Sequence, residues 1–209
     1  MRYIDGGLMD YGKAYALQES LAADISNGHT EETLLLLQHP SVYTIGRGGL
    51  LSNILDPAIQ VERVNRGGDV TWHGPGQLVG YPLINLTRRG RDLHRWIGFL
   101  EELLVDTLDT FGIRGQLREG ARGVWTKQGK IAFLGVGVRR WVTMHGFSLN
   151  VSPELHPFDT IIPCGIAECP ITSMAAEGLH TVSVDEVKNH VLEIFEPLLQ
   201  SRLPKKMSR

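Results

Sequence analysis

Between residues 123 and 151 the chain reads GVWT, KIAFLGVGV and VTMHGFSLNV, three strand-like runs separated only by the turns KQGK and RRW. Connections this short leave no room for the crossover that parallel strands need, so the runs are expected to form an antiparallel meander. The segment before them, DLHRWIGFLEELLVDTLDTFG, repeats apolar residues at helical spacing: Leu93, Trp96, Ile97, Leu100, Leu104, Leu108 and Phe111. The pattern stops at Gly112. A meander and an amphipathic helix each have one face that must leave water, and packing one on the other satisfies both.

The remaining segments extend that scheme. Leu17, Leu21 and Ile25 form one stripe over residues 10–27, with Asp10 a start signal and Asn27-Gly28 a stop. ETLLLLQH and PSVYTIGR read as buried strands broken at Pro40, and VERV, VTW and LVGYPLINL give further strand signals. FDTIIP is strand-like as well. Ser183 and Glu186 stand at capping-box spacing ahead of Val187, Val191, Ile194, Phe195 and Leu198, which announces a C-terminal helix, and PKKMSR reads as a frayed tail. The fold class predicted is α+β, a mostly antiparallel sheet with packed helices, in one domain over residues 1–209.

Composition narrows the function. The chain has 209 residues, 42% apolar and 21% charged, with net charge -2. A domain of this size buries about 70% of the surface that its unfolded chain exposes and needs no covalent staple. The near-neutral charge argues against a nucleic-acid partner, and no run is long enough to span a membrane. MRYIDGGLMDYGKAYALQES lacks a basic segment followed by an apolar one, so a cytoplasmic location is expected. In a reducing compartment the two cysteines, Cys164 and Cys169, are not expected to pair. They remain candidates for metal ligand, reactive thiolate or buried thiol.

The densest run of special residues is RGGDVTWHGPGQLVGYP, residues 66–82, where glycines let the backbone turn sharply and approach a ligand. Neither Gly12-Lys13 nor Gly129-Lys130 is followed by Ser or Thr, so there is no P-loop. HPSVYTIGRGG, residues 39–49, offers a second glycine-bearing corner. A zinc site would recruit Cys164 and Cys169 with some of His73, His145 and His156, but the cysteine spacing is wide for ribbons and fingers and no second pair exists; no metal is expected. His145, in mid-strand, reads as a hydrogen-bonded core histidine. Cys164, in Pro-Cys-Gly, is held at a turn whose backbone N–H groups could stabilise an oxyanion. A free thiol is only a few per cent thiolate at neutral pH, so a nucleophilic Cys164 needs a cation or base, and Lys127, Lys130 and several histidines qualify by type.

RGGDVTWHGPGQLVGYP, GKIAFLGVGV, HGFSLNV and IIPCGI, in that order, together with HPSVYTIGR, resemble the lipoyl(octanoyl) transferase family over nearly the whole chain. The resemblance implies the catalytic core shared by biotin and lipoate ligases. It implies transfer of an octanoyl group from acyl carrier protein to a lysine on lipoyl domains of 2-oxoacid dehydrogenases and on the glycine cleavage H protein, with no cofactor and by a monomer. Matched residue by residue, it makes Cys164 the acyl-thioester nucleophile and Lys130 its activating lysine. It makes Arg66, Gly67, Gly68, Asp69, Val70, Thr71, Trp72 and His73 the first acyl-binding wall, Phe133, Leu134 and Gly135 the second, and Gly146, Phe147 and Ser148 the third. Cys169 matches no position with a role.

The implied chemistry suits these residue types. Thioester exchange is close to isoenergetic and amide formation from a thioester is downhill, so no nucleotide is consumed. A charged Lys130 favours the thiolate, and a neutral Lys130 can later take the proton of an incoming amine. Arg88, Arg89 and Arg91, with Arg139-Arg140, are candidates for docking an acidic carrier. Two rivals stay open: an ATP-dependent lipoate or biotin ligase on the same fold, and a non-catalytic acyl or cofactor carrier in which Cys164 is merely packed.

Overall fold

The computed structural model describes residues 1–205; the last four residues of the PKKMSR tail lie outside the described residues. The order is β1 (Arg2–Leu8), α1 (Tyr11–Asn27), β2 (Thr33–Gln38), β3 (Val42–Ile45), β4 (Val61–Arg63), β5 (Val70–His73), β6 (Gln77–Leu83), α2 (Leu93–Thr110), β7 (Gln116–Arg118), β8 (Ala121–Trp125), β9 (Lys130–Arg139), β10 (Val142–Asn150) and α3 (Val184–Arg202). Ten strands form a seven-stranded sheet, β1-β2-β6-β10-β9-β8-β7, and a three-stranded one, β4-β3-β5. Only β1–β2 and β3–β4 pair in parallel. The anticipated meander is β8-β9-β10.

The large sheet is covered on both faces. Leu34 and Leu36 of β2, with Leu78, Phe147 and Leu149, meet Trp96, Leu100 and Leu104 of α2 and Phe195 and Leu199 of α3. Leu35, Leu37, Val79 and Tyr81 meet Ala14 of α1 on the opposite face. That double burial is why β2 is an unbroken leucine run and not an alternating pattern. The local stops and starts are those the sequence announced: Asp10 accepts the Lys13 N–H, Asp92 accepts those of His94 and Arg95, and Ser183 and Glu186 close a complete capping box. No helix among the described residues is long and apolar enough to cross a membrane.

Three features differ from the sequence reading. β1 and β7 were not anticipated; both are edge strands, bonded on one side only, so RYIDGGL and QLR form them with little apolar alternation. FDTIIP is no strand: His156–Thr160 is a 3₁₀ turn, and only Ile161 makes a bridge, to Ile54. The arginine clusters are also divided. Arg89 is buried, bonded to both oxygens of Glu32 and to the Leu203 carbonyl, which removes it from any docking surface. Arg139 pairs with Glu19, while Arg91 lies 5.7 Å from the Trp141 ring centroid and brings the two clusters together.

The Glu32–Arg89 pair, 2.7 Å apart, ties the start of β2 to the segment before α2 and to the end of α3. Burial pushes the Glu32 carboxyl up, but the hydrogen bonds and charge of Arg89, helped by Lys205, outweigh it and hold the carboxyl below its ordinary range. A depressed carboxyl contributes stability above its unfolded value near 4.3 and loses it as the pH falls through the folded value. Glu32→Gln is therefore expected to cost about 3 kcal/mol in urea denaturation at pH 7, with the gap to wild type closing as the medium is acidified below about pH 4.

Candidate active site

β9 begins with Lys130, and the chain after Cys164 returns to meet it. The Lys130 N–H donates to the Pro170 carbonyl (2.7 Å) and the Thr172 N–H donates to the Lys130 carbonyl (3.0 Å), so residues 170–172 pair with the first residue of the strand. This pairing runs so close that a Cβ on Gly129 would fall 2.5 Å from the Pro170 oxygen, and glycine is what the approach requires. Glu177 adds a second tie, accepting from the Thr126 and Thr172 hydroxyls at 2.6 and 3.1 Å.

A β-bulge sets the direction of the Lys130 side chain. Val124 pairs with Ala132 but Trp125 with Lys130, so Ile131 is an extra residue on β9. In a regular strand residues three apart point to opposite faces. The inserted residue puts Lys130 and Phe133 on one face, with Nζ 5.0 Å from the Phe133 ring centroid and 3.4 Å from Cys164 Sγ. Lys130 is buried at 1% exposure, and Cys164 is half-buried.

Cys164 occupies a 3₁₀ turn, Pro163–Gly165, at φ 57° and ψ 18°, a left-handed conformation that costs a non-glycine residue strain. Neighbouring loops hold it. The Ile162 N–H donates to the Asn53 carbonyl (2.7 Å), while the Asn53 amide donates to Asp69 (2.6 Å), whose other oxygen accepts from the Leu50 and Val70 N–H groups. Two of the N–H groups of this turn, those of Gly165 and Ile166, are spent on the Ile162 and Pro163 carbonyls.

A narrow cavity of about 40 Å³ opens beside the sulfur. Of the residues in the first expected wall, Arg66, Gly68, Asp69, Thr71 and His73 line it. Val70 and Trp72, alternate residues of β5, pack behind it with Phe158 and Ile161, and Gly67 bonds the Val136 carbonyl. Phe133–Gly135 and Gly146–Ser148 both line it. Cys169 does not; burial pushes its thiol up, against the opposing pull of Lys130 and Arg118. Among the described residues no three His, Cys, Asp or Glu side chains converge as a metal site.

Three lining residues were missed from sequence: Tyr11, Tyr81 and His145. Tyr11 lies within the first expected helix and Tyr81 within the strand-like LVGYPLINL, and nothing in either pattern singled them out. His145 was expected to be a hydrogen-bonded core histidine; it is buried, but neither ring nitrogen completes a hydrogen bond. It stays paired with Val136 of β9, but its backbone takes φ 55°, and its N–H is taken by the buried Gln18 side chain of α1 at 2.7 Å. Unpartnered polar atoms of Arg66, Thr71 and Ser148 face the same cavity, so an otherwise apolar pocket carries a polar rim.

Burial and, secondarily, the neighbouring His39 push His73 down to about 3; burial and Arg66 push His145 down to about 4. Both rings are neutral through the physiological range. Unfolded histidines take up protons below about pH 6.5, so these residues favour unfolding progressively from there down to their folded values. An NMR titration is expected to show both imidazoles unchanged between pH 8 and 5, while stability by denaturant melts declines over the lower part of that window. Alkylation under limiting reagent is expected to modify Cys164 before Cys169, read by peptide mass spectrometry, because the thiolate is the reacting species.

Residues 10–196 match the family model described as the lipoyl protein ligase A/B catalytic domain. Curated octanoyltransferases are close in sequence: that of Geotalea uraniireducens is 57% identical, covering 98% of this chain and 95% of its own length, and that of Geobacter sulfurreducens is 52% identical, covering 98% and 87%. Among solved structures, lipoate-protein ligase A bound with ATP superposes with a TM-score of 0.72 at 16% identity, over 95% of this chain and 85% of that one. The biotin protein ligase of Aquifex aeolicus gives 0.58 at 14%, over 96% and 70%. At those identities the structural likeness speaks to the fold alone, whereas the sequence matches are near full length: the chain belongs to the lipoyl protein ligase A/B catalytic domain family, and its sequence relatives there are octanoyltransferases.

Proposed function

We propose that Cys164 carries the acyl group as a thioester and that Lys130 manages the protons of both half-reactions. The chain itself is an acyltransferase that moves octanoyl groups in protein lipoylation. The observation that carries the residue assignment is the buried Lys130 Nζ 3.4 Å from the Cys164 sulfur, which lines a largely apolar cavity. An ammonium at that distance, away from bulk water, favours thiolate over thiol.

In the first half-reaction the thiolate attacks the carbonyl carbon of octanoyl-acyl carrier protein. The new C–S bond forms, the bond to the carrier sulfur breaks, and the carrier thiolate leaves with a proton from Lys130. Lys130 is then neutral, and the charge that held its proton, the Cys164 thiolate, is gone. In the second half-reaction a neutral lysine amine of a lipoyl domain, in a 2-oxoacid dehydrogenase or the glycine cleavage H protein, attacks the thioester. Lys130 accepts the proton that the nitrogen sheds as the amide forms, and Cys164 leaves as thiolate, which restores the starting ion pair. No cofactor enters the balance.

The cavity takes the alkyl chain, each methylene removed from water contributing about 0.8 kcal/mol. Every group in this scheme comes from one chain, which supports a monomer acting as a single catalytic domain; two free cysteines support a cytoplasmic setting.

Incubation with octanoyl-acyl carrier protein followed by intact-mass measurement tests the scheme. Wild type is expected to gain one octanoyl group at Cys164 without ATP, and Cys164→Ala to show neither adduct nor transfer. Lys130→Ala is expected to slow both half-reactions by about 10²-fold or more, in keeping with the loss of a positioned acid–base group. ATP-dependent pyrophosphate release with no adduct would instead place the protein with the adenylating ligases of this fold.

A further inference from the structure

A buried ammonium ordinarily has a carboxylate partner. Lys130 has none within 4.0 Å among the described residues. Its surroundings are aromatic instead: Nζ lies 5.3 Å from the centroid of the Trp125 ring, on which Arg118 also stacks at 4.1 Å, and 5.0 Å from that of Phe133, besides its contact with Cys164 Sγ. Trp125 is itself buried at 2% exposure, with its indole N–H held by the Ala121 carbonyl at 3.1 Å. Two residues before it on the same strand, Gly123 lies at φ +113°, and a Cβ there would sit 2.7 Å from Lys130 Cε. The strand β8 thus leaves a space shaped for the lysine stem and sets an aromatic face beside its head.

We infer that Trp125 is a positioning residue for octanoyl transfer, its ring face holding the Lys130 ammonium against Cys164 where a carboxylate would otherwise stand. The inference rests on the Cys164–Lys130 assignment above and explains how one lysine serves both half-reactions. A carboxylate at hydrogen-bonding distance would hold Lys130 charged after Cys164 is acylated, when the second half-reaction needs a neutral amine. It would also compete with the thiolate for the ammonium. An aromatic face attracts the cation through the ring quadrupole, strongly when water is excluded, yet carries no net charge. Its hold therefore weakens when the lysine gives up its proton, and an apolar wall remains that houses a neutral amine at much less cost than a charged one.

Trp125 does not line the acyl cavity, so its loss is expected to act through Lys130 and not through substrate binding. The test measures alkylation of Cys164 by iodoacetamide as a function of pH in a Cys169→Ser background, alongside kcat and KM for octanoyl-acyl carrier protein. Lys130→Ala is expected to slow alkylation at pH 7 and move the rate profile to higher pH. Trp125→Leu is expected to do the same by about tenfold at pH 7, with kcat reduced and KM nearly unchanged. Trp125→Phe, which keeps a ring face, is expected to stay within about threefold of wild type.

Where Trp125→Leu fails to fold, Trp125→pentafluorophenylalanine replaces it, since that side chain keeps the shape of phenylalanine and reverses the charge distribution of the ring face; it is expected to alkylate about tenfold more slowly than Trp125→Phe. A Lys130→Ala protein that alkylates at the wild-type rate would overturn the Cys164–Lys130 assignment itself. A slowed Lys130→Ala beside an unaffected Trp125→Leu, or equal rates in the two ring variants, would overturn the role of Trp125 alone.

Discussion

The arrangement of this molecule turns on keeping one lysine ammonium out of water and within 3.4 Å of one sulfur. Such a contact does not form by itself: a buried cation loses its hydration, and a long side chain loses rotamer freedom when it is held in one place. The protein meets both demands with backbone. The segment 170–172 pairs with Lys130 through two main-chain hydrogen bonds, so the loop that carries Cys164 is fastened to Lys130 itself. The seven residues from Cys164 to Pro170 are the entire covalent path between the thiol and that anchor.

The two sheets divide the remaining work. The seven-stranded sheet, buried on both faces, supplies a rigid floor and carries Lys130, Phe133 and the glycines of β9 and β10. The smaller sheet brings Thr71 and His73 to the cavity from β5, while its alternate residues close a second apolar cluster behind them. Irregularities gather where the two meet. Ile131 bulges from β9, and His145 and Cys164 both sit in the left-handed region. Each departs from regular geometry beside the cavity, where the surrounding packing fixes residues in positions that an ordinary strand or turn would not give them.

Much of the fold was legible because the signals were local. Asp10, Asp92 and the Ser183–Glu186 box cap their helices through contacts within four residues, and the turns KQGK and RRW are too short for anything but an antiparallel return. The edge strands β1 and β7 escaped because bonding on one side demands little of their side chains. FDTIIP misled for the converse reason: its apolar residues are buried by Trp72 and Phe133 in a tertiary cluster, so no sheet is needed to cover them. The docking role read into Arg89 fails on similar grounds, since nothing near it in sequence announces Glu32, fifty-seven residues away.

By itself the sequence determined the helices, the meander and the family, because each is written in neighbouring residues or in motifs of fixed order. Which side chains share a face of the cavity was decided only by tertiary structure. Lys130 and Phe133, three residues apart, ought to point to opposite sides of β9. One extra residue, visible only in the pairing of β9 with β8, brings them together, and the partner it leaves under the ammonium is a tryptophan ring that no spacing rule connects to Cys164. Periodicity fixes a side chain's direction only while the strand is regular; where a strand must bulge to aim a reacting group, the direction belongs to the neighbouring strand as much as to its own.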